Sequence, residues 1–251
     1  MKIQNISQKI AFFLILMLTI TLSCKNEEKP SVIAQDKQEE MTKEPFFKLS
    51  LAQWSIHKMI ENEGLDPFDF AKKSKAWGFE GIEYVSQLYS KELAKYDDQA
   101  EGMNQLVARL KKESETAGIQ NLLIMVDGEG DLADPDEDKR NLAVENHKKW
   151  VDAAAELGCH SIRVNTFGTN DPEIWKSTVV DGLKKLSEYA ATKNINVLCE
   201  NHGWLSSDAP KLMQAIADVG MDNCGTLPDF GNWCIKRKEG AKWGECEETY
   251  P

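Results

Sequence analysis

From residue 46 onward, short apolar runs alternate with longer stretches whose apolar positions recur every three to four residues. The short runs, at residues 47–54, 81–86, 119–126, 161–167, 195–200 and 225–229, read as strands. Between them, residues 66–77, about 101–117, 135–157, 172–192 and 207–219 read as helices. Asp66-Pro67 opens one helix, Pro135 stands near the start of another, and Gly118, Gly158 and Gly220 stand where helices end. Gly78, Gly118 and Gly158 recur at intervals of 40 residues, the length of one strand, one helix and two loops.

Strict alternation with short joints implies parallel strands joined by right-handed crossovers. A dinucleotide-binding sheet would carry Gly-x-Gly-x-x-Gly after its first strand. That motif is missing, and Asp127-Gly-Glu-Gly-Asp131 does not substitute for it. The expected fold is therefore an α/β (β/α)8 TIM barrel, with about six βα units in this chain. The broken run Gly244-Glu-Cys-Glu-Glu-Thr-Tyr-Pro251 carries neither helix stop nor closing strand, which suggests a C-terminally truncated barrel over residues 46–251.

The start of the chain follows a different pattern. Lys2 and Lys9 precede a 12-residue apolar run, residues 11–22, followed by Ser23-Cys24. This is a secretory signal too short to span a membrane comfortably. Cysteine at the break makes residues 1–23 a lipoprotein signal peptide, with Cys24 as the lipidated residue, although Thr21 stands where such signals usually carry Leu. Residues 24–45 are polar and read as a flexible tether. The expectation is a lipid-anchored protein of the bacterial cell envelope.

Composition narrows the partners. With 41% hydrophobic residues the chain can bury a core, and its net charge of −11 offers no basic stripe for nucleic acid. No Cys-x-x-Cys spacing supports a structural zinc. Cys199 and Cys224 fall in strands as small apolar residues, whereas Cys234 and Cys246 fall in predicted loop and are candidates for a bridge.

Chemistry-bearing residues gather at or just past the strand ends: Trp54, His57, Glu83, Asp127, Asn165, Glu200, His202, Asp229 and Asn232. In parallel α/β folds that edge is where active sites are built. Carboxylates with amides and a few imidazoles suit a divalent cation and a hydroxyl-rich ligand. Trp54, Trp204 and Trp233 offer flat faces for sugar rings. Each also has a structural reading, as a core lid, a hydrogen-bonded histidine or a simple ion pair. His147 is expected exposed on its helix, and His160 structural on the opposite face. The acidic loop 127–138 lacks the glycine and glutamate of a calcium loop and reads as solvated.

Gly81-Ile-Glu83, Glu200-Asn-His202-Gly203 and Asp229-Phe-Gly-Asn232, at these strands, resemble the xylose-isomerase-like barrels, the sugar phosphate isomerase/epimerase superfamily. The resemblance covers roughly residues 46–232. It implies that Glu200 and Asp229 bind a divalent metal (Mn, Mg, Co or Zn), with a His and a Glu on two later strands completing the set. It also implies a sugar isomerase or epimerase working by proton abstraction next to a carbonyl. Glu200 is the expected catalytic base, with His202, Asn232, Trp54, His57, Glu83 and Asn165 as substrate contacts. Two alternatives stay open: a 3-keto-glycoside lyase on the same metal site, and a non-catalytic carbohydrate-binding lipoprotein. The related nucleases use a His-rich zinc site, and four histidines do not suit that.

Overall fold

Six parallel strands form one sheet in sequence order: β1 (Ser50–Ala52), β2 (Gly81–Val85), β3 (Gln120–Met125), β4 (Ser161–Val164), β5 (Asn196–Glu200) and β6 (Cys224–Leu227). The computed structural model describes residues 47–238 and 245–250. The expected signal peptide, Cys24 and the tether lie outside the described residues. The intervening helices are α1 (His57–Glu63), α2 (Phe70–Ala76), α3 (Ser90–Leu93), α4 (Gln99–Ala117), α5 (Glu137–Leu157), α6 (Pro172–Ala191) and α7 (Ala209–Val219).

The helix limits follow from their caps. Asp98, Asp136 and Asp171 each accept two backbone N–H groups at the starts of α4, α5 and α6. This satisfies donors that the helix itself cannot. Gly118, Gly158 and Gly220 close α4, α5 and α7 with φ of 63°, 73° and 65°, a left-handed turn that a Cβ would oppose.

Alternation along the strands sorts side chains onto two faces. Ile82, Tyr84, Ile124, Ile162, Val164, Val197 and Cys199 belong to the main core with the helices. Each such aliphatic side chain contributes about 1.5–3 kcal/mol by leaving water. Val85, Leu123 and Met125 form a small second cluster with Ala52 and Leu227.

Four expectations need correction. The first strand stops at Ala52, because buried Gln53 turns the chain inward. Its amide donates to Tyr89 Oη (2.8 Å) and Pro67 O (3.1 Å) and accepts from Val85 N (3.1 Å). Helix α1 follows at once, where none was expected. His147 is buried, and its Nδ1 donates to Ala143 O at 2.7 Å. The loop after β3 is not simply solvated: Leu132 and Ala133 are fully buried. It sits so close to α6 that a Cβ on Gly182 would lie 2.0 Å from Leu132 O. Finally, Cys234 and Cys246 lie not in loop but in the antiparallel strands β7 (Cys234–Arg237) and β8 (Cys246–Thr249), joined by a disulfide.

Candidate active site

Ile162 and Val164 face the helices, so Arg163 between them faces the other side of the sheet, as do Leu198 and Glu200 on β5. This places a buried guanidinium beside a buried carboxylate. Arg163 Nε lies 2.7 Å from Glu200 Oε2, an ion pair in which the N–H is poorly aligned to donate. Arg163 Nη1 donates to Asp127 Oδ1 at 2.9 Å. Asp127, just past β3, is fixed by reciprocal bonds between its backbone and Ser86 Oγ.

Two further strand ends complete the network. Asn165 Nδ2 donates to Asp127 Oδ1 (2.8 Å), which turns its carbonyl oxygen toward His202 Nδ1, also at 2.8 Å. His202 therefore carries its proton on Nδ1 and presents Nε2 as an acceptor. Past β6, Asn232 Nδ2 donates to Glu200 Oε1 and to Asp229 Oδ2, both at 3.1 Å. The Asp229–Asn232 turn hangs on buried Asn201. Its amide donates to Asp229 O (2.9 Å) and Asn232 O (3.1 Å) and accepts from Asp229 N (2.7 Å). Ser207 Oγ adds a bond to Asn232 O.

The electrostatics follow from this packing. Burial holds the Glu200 carboxyl above its ordinary range; Arg163 pulls it down, and Asp229 and Asp127 push it back up. Burial, with the Arg163 charge nearby, keeps the His202 imidazole below its usual value and so neutral near pH 7. Asp127 and Glu200 thus share the Arg163 guanidinium, Asp229 joins through Asn232, and the Arg237 charge also acts on His202.

The structure joins Glu200, Asp229, Asn232, Asn165 and His202, through Arg163 and Asp127, in one connected set. Trp54, His57 and Glu83 have local partners instead. Trp54, 44% exposed, stacks on His57 with ring centroids 4.1 Å apart, and its carbonyl accepts from His57 Nδ1. Glu83 sits in mid-strand, where Ser50 Oγ donates to Oε1 at 2.5 Å. Trp204 packs edge-on against Phe167 (5.6 Å), whose ring lies 5.7 Å from that of His202. Trp233 packs against Tyr250. Sequence reasoning missed Arg163 and Asn201. A charged residue inside the four-residue buried run Ser161-Ile-Arg-Val164 was the available signal for Arg163.

A cleft of about 460 Å3 opens beside this network, between the loops that follow β4 and β5. A cavity of about 510 Å3 lies at the amino-terminal ends of the strands, lined by residues such as Lys111, Glu115, Gln120 and His160, away from the carboxylates. For a divalent cation, Glu200 and Asp229 supply carboxylate oxygens of the right chemistry. Among the described residues, however, no group of three or more His, Cys, Asp or Glu side chains is placed to hold a metal ion. Hard cations take six or more ligands, so this pair does not complete a site.

Residues 71–249 match the family model of the xylose isomerase-like TIM barrel. No curated protein sequence matches the chain. Among solved structures, a D-psicose 3-epimerase determined with D-fructose is similar with a TM-score of 0.58 at 16% identity, covering 73% of this chain and 63% of that one. A 3-keto-D-glucoside 4-epimerase from E. coli gives 0.54 at 16% identity, covering 66% and 64%. The IOLI protein with a bound zinc atom gives 0.54 at 18% identity, covering 72% and 62%. The chain thus spans less than two thirds of the length of each, and at these identities the likeness is one of fold.

Proposed function

Because the chain belongs to the xylose isomerase-like TIM barrel family, we propose that it is a sugar isomerase or epimerase acting by proton abstraction next to a carbonyl. The observation that carries the reading is Glu200. It is a buried carboxylate at the carboxyl end of β5, its pKa raised by burial, and it is ringed by groups that orient it. A base held above the ordinary carboxylate range is better matched to a weakly acidic C–H proton.

In the proposed reaction Glu200 takes the proton, and the electron pair of the broken C–H bond moves into the carbonyl to give an enediolate. Delivery of a proton to the same carbon from the opposite face, by a second acid, gives an epimer; delivery to the neighbouring carbon, with the hydroxyl proton passing to the former carbonyl oxygen, gives an isomer. Arg163 and Asn232 hold the Glu200 carboxylate in one orientation. His202, kept neutral by burial and oriented by Asn165 through Nδ1, is the proposed contact to a substrate hydroxyl. Metal dependence belongs to the proposal through donor chemistry: Glu200 and Asp229 offer carboxylate oxygens that suit Mn, Mg, Co or Zn. No step is assigned to that cation, since the described residues do not complete its site.

The test is solvent deuterium exchange into a panel of ketohexoses and 3-keto-glucosides, followed by NMR. Exchange by the native protein and its loss in Glu200→Gln are expected. Exchange that persists in Glu200→Gln removes Glu200 as base. A second reading, a lyase on 3-keto-glycosides, is favoured by the likeness to a 3-keto-D-glucoside 4-epimerase. It predicts release of the aglycone alcohol from the same panel. Binding without exchange or release would leave the carbohydrate-binding reading. Anchoring to the cell envelope through Cys24 is also part of the proposal, and Cys24→Ser should move the protein from the membrane to the soluble fraction. An unchanged distribution would remove the anchor.

A further inference from the structure

The cleft between the loops after β4 and β5 is separated from the Glu200 network by one side chain. Phe167 forms one of its walls and reaches the His202 ring on the other side. Trp204, packed edge-on against Phe167 at 86°, lines the same cleft. Trp204 adopts φ of 52°, a left-handed conformation uncommon for an aromatic residue. Such strain persists only where the surroundings enforce it, and it gathers at functional sites.

Here the enforcing contacts can be named. Ser206 and Ser207 accept from the backbone N–H groups of His202 and Gly203, and Ser206 Oγ donates to Gly203 O. Arg237, on the disulfide-linked hairpin, lies over the Trp204 ring at 5.4 Å. On the other side, Gly168 packs so closely on the loop after β3 that a Cβ would meet the Ala133–Asp134 peptide at 2.3 Å. Both aromatic residues are thus set before any ligand arrives. Asp131, Thr169 and Asn170 add polar groups to the lining.

We propose that this cleft is a second sugar subsite, so that the ligand is a glycoside of at least two rings rather than a free monosaccharide. The inference rests on the sugar reading of the adjacent network and extends it. At about 460 Å3 the cleft falls within the range of roughly 300–1000 Å3 typical of ligand sites. Preset aromatic faces stack on sugar C–H surfaces without an ordering cost, while carboxylate, hydroxyl and amide groups at the edge meet ring hydroxyls. The amino-terminal cavity has no Phe, Tyr or Trp in its lining.

The experiment uses matched pairs: methyl glycosides of glucose, galactose and mannose, and disaccharides carrying each of these at the non-reducing end, titrated by calorimetry. At least one disaccharide should bind about tenfold more tightly than its one-ring partner, a difference of about 1.4 kcal/mol. Trp204→Ala, and Asn170→Trp placed at an exposed position to fill the cleft, should bring that ratio to within twofold of one. Circular dichroism checks that both variants fold. A ratio near one for every pair in the native protein overturns the proposal, as does a ratio unchanged in both variants. Glu200→Gln should retain the ratio. If the native protein shows the ratio but exchanges deuterium into none of the sugars, the reaction fails and the subsite stands.

Discussion

Arg163→Met tests whether the guanidinium is the centre on which the candidate site is built. Methionine keeps the length and apolar body of the side chain, so the change is mainly one of charge. Arg163 and Glu200 have side chains only 6% and 7% exposed, and Asp127 is 18% exposed. Removing one partner of a buried pair costs about 3–5 kcal/mol, because the other charge is left buried and unanswered. For a domain of this size, a loss of 3 kcal/mol lowers the melting temperature by about 6–12 °C.

The pH dependence has a definite sign. Burial already raises the Glu200 carboxyl, and Arg163 is the largest influence opposing it. Without Arg163 the folded-state value rises further above its unfolded value of 4.5. A carboxyl shifted in that direction favours folding below the unfolded value, and the favourable contribution is lost as pH rises through the folded one. Thermal melts of the native protein and Arg163→Met at pH 5 and pH 8 should therefore show the larger deficit at pH 8. Adding Glu200→Gln to Arg163→Met should recover part of it. A deficit under 1 kcal/mol, or one equal at both pH values, would refute the reasoning.

Three further outcomes are expected. Gly182→Ala should destabilise the fold by about 2 kcal/mol, since the overpacking at Leu132 O outweighs the ~1 kcal/mol of helix propensity gained; a variant that melts at or above the native temperature contradicts the close approach. Burial lowers the His147 imidazole from 6.5, so its contribution to stability is intact above that pH and lost as pH falls through the lower folded value. His147→Leu should accordingly flatten the melting-temperature profile between pH 7 and 5, and an unchanged slope removes His147 as the cause. Asn201→Ala breaks three hydrogen bonds to the Asp229–Asn232 turn and should cost about 2–3 kcal/mol, with faster amide exchange at Gly231 and Asn232. Native-like protection at those amides would mean that the turn holds itself.

The repeating half of this molecule was legible because its signals are local. Signals such as Asp66-Pro67 and Gly158 act within one turn of the chain, and alternation of apolar runs is read directly from residue order. What the sequence hid depends on distant partners. Gln53 ends β1 through bonds to Pro67, Val85 and Tyr89; His147 is buried on its helix, and the apolar pair Leu132-Ala133 is buried although it sits among acidic residues. The carboxylates at strand ends stood out, as did Asn165 and His202. Arg163 did not, since its importance comes from Asp127, 36 positions earlier, and Glu200, 37 positions later. Trp54 and His57 follow a strand end as well, but position in the sequence does not say which strand ends converge, and Glu83 falls in mid-strand rather than at an end.

The Arg163 ion pairs also bear on the order in which the sheet can assemble. A chain folded only as far as β4 would hold the guanidinium with Asp127 alone. A chain with β5 docked and the loop after β3 still loose would hold it with Glu200 alone. Either partial state buries charge with half its compensation, and both become more costly as water leaves the sheet. Strands β3, β4 and β5 are therefore favoured to come together as one cooperative step, with β1, β2 and β6 free to add before or after. A buried charge that orients a carboxylate in the finished protein thus also discourages half-formed versions of the sheet's centre.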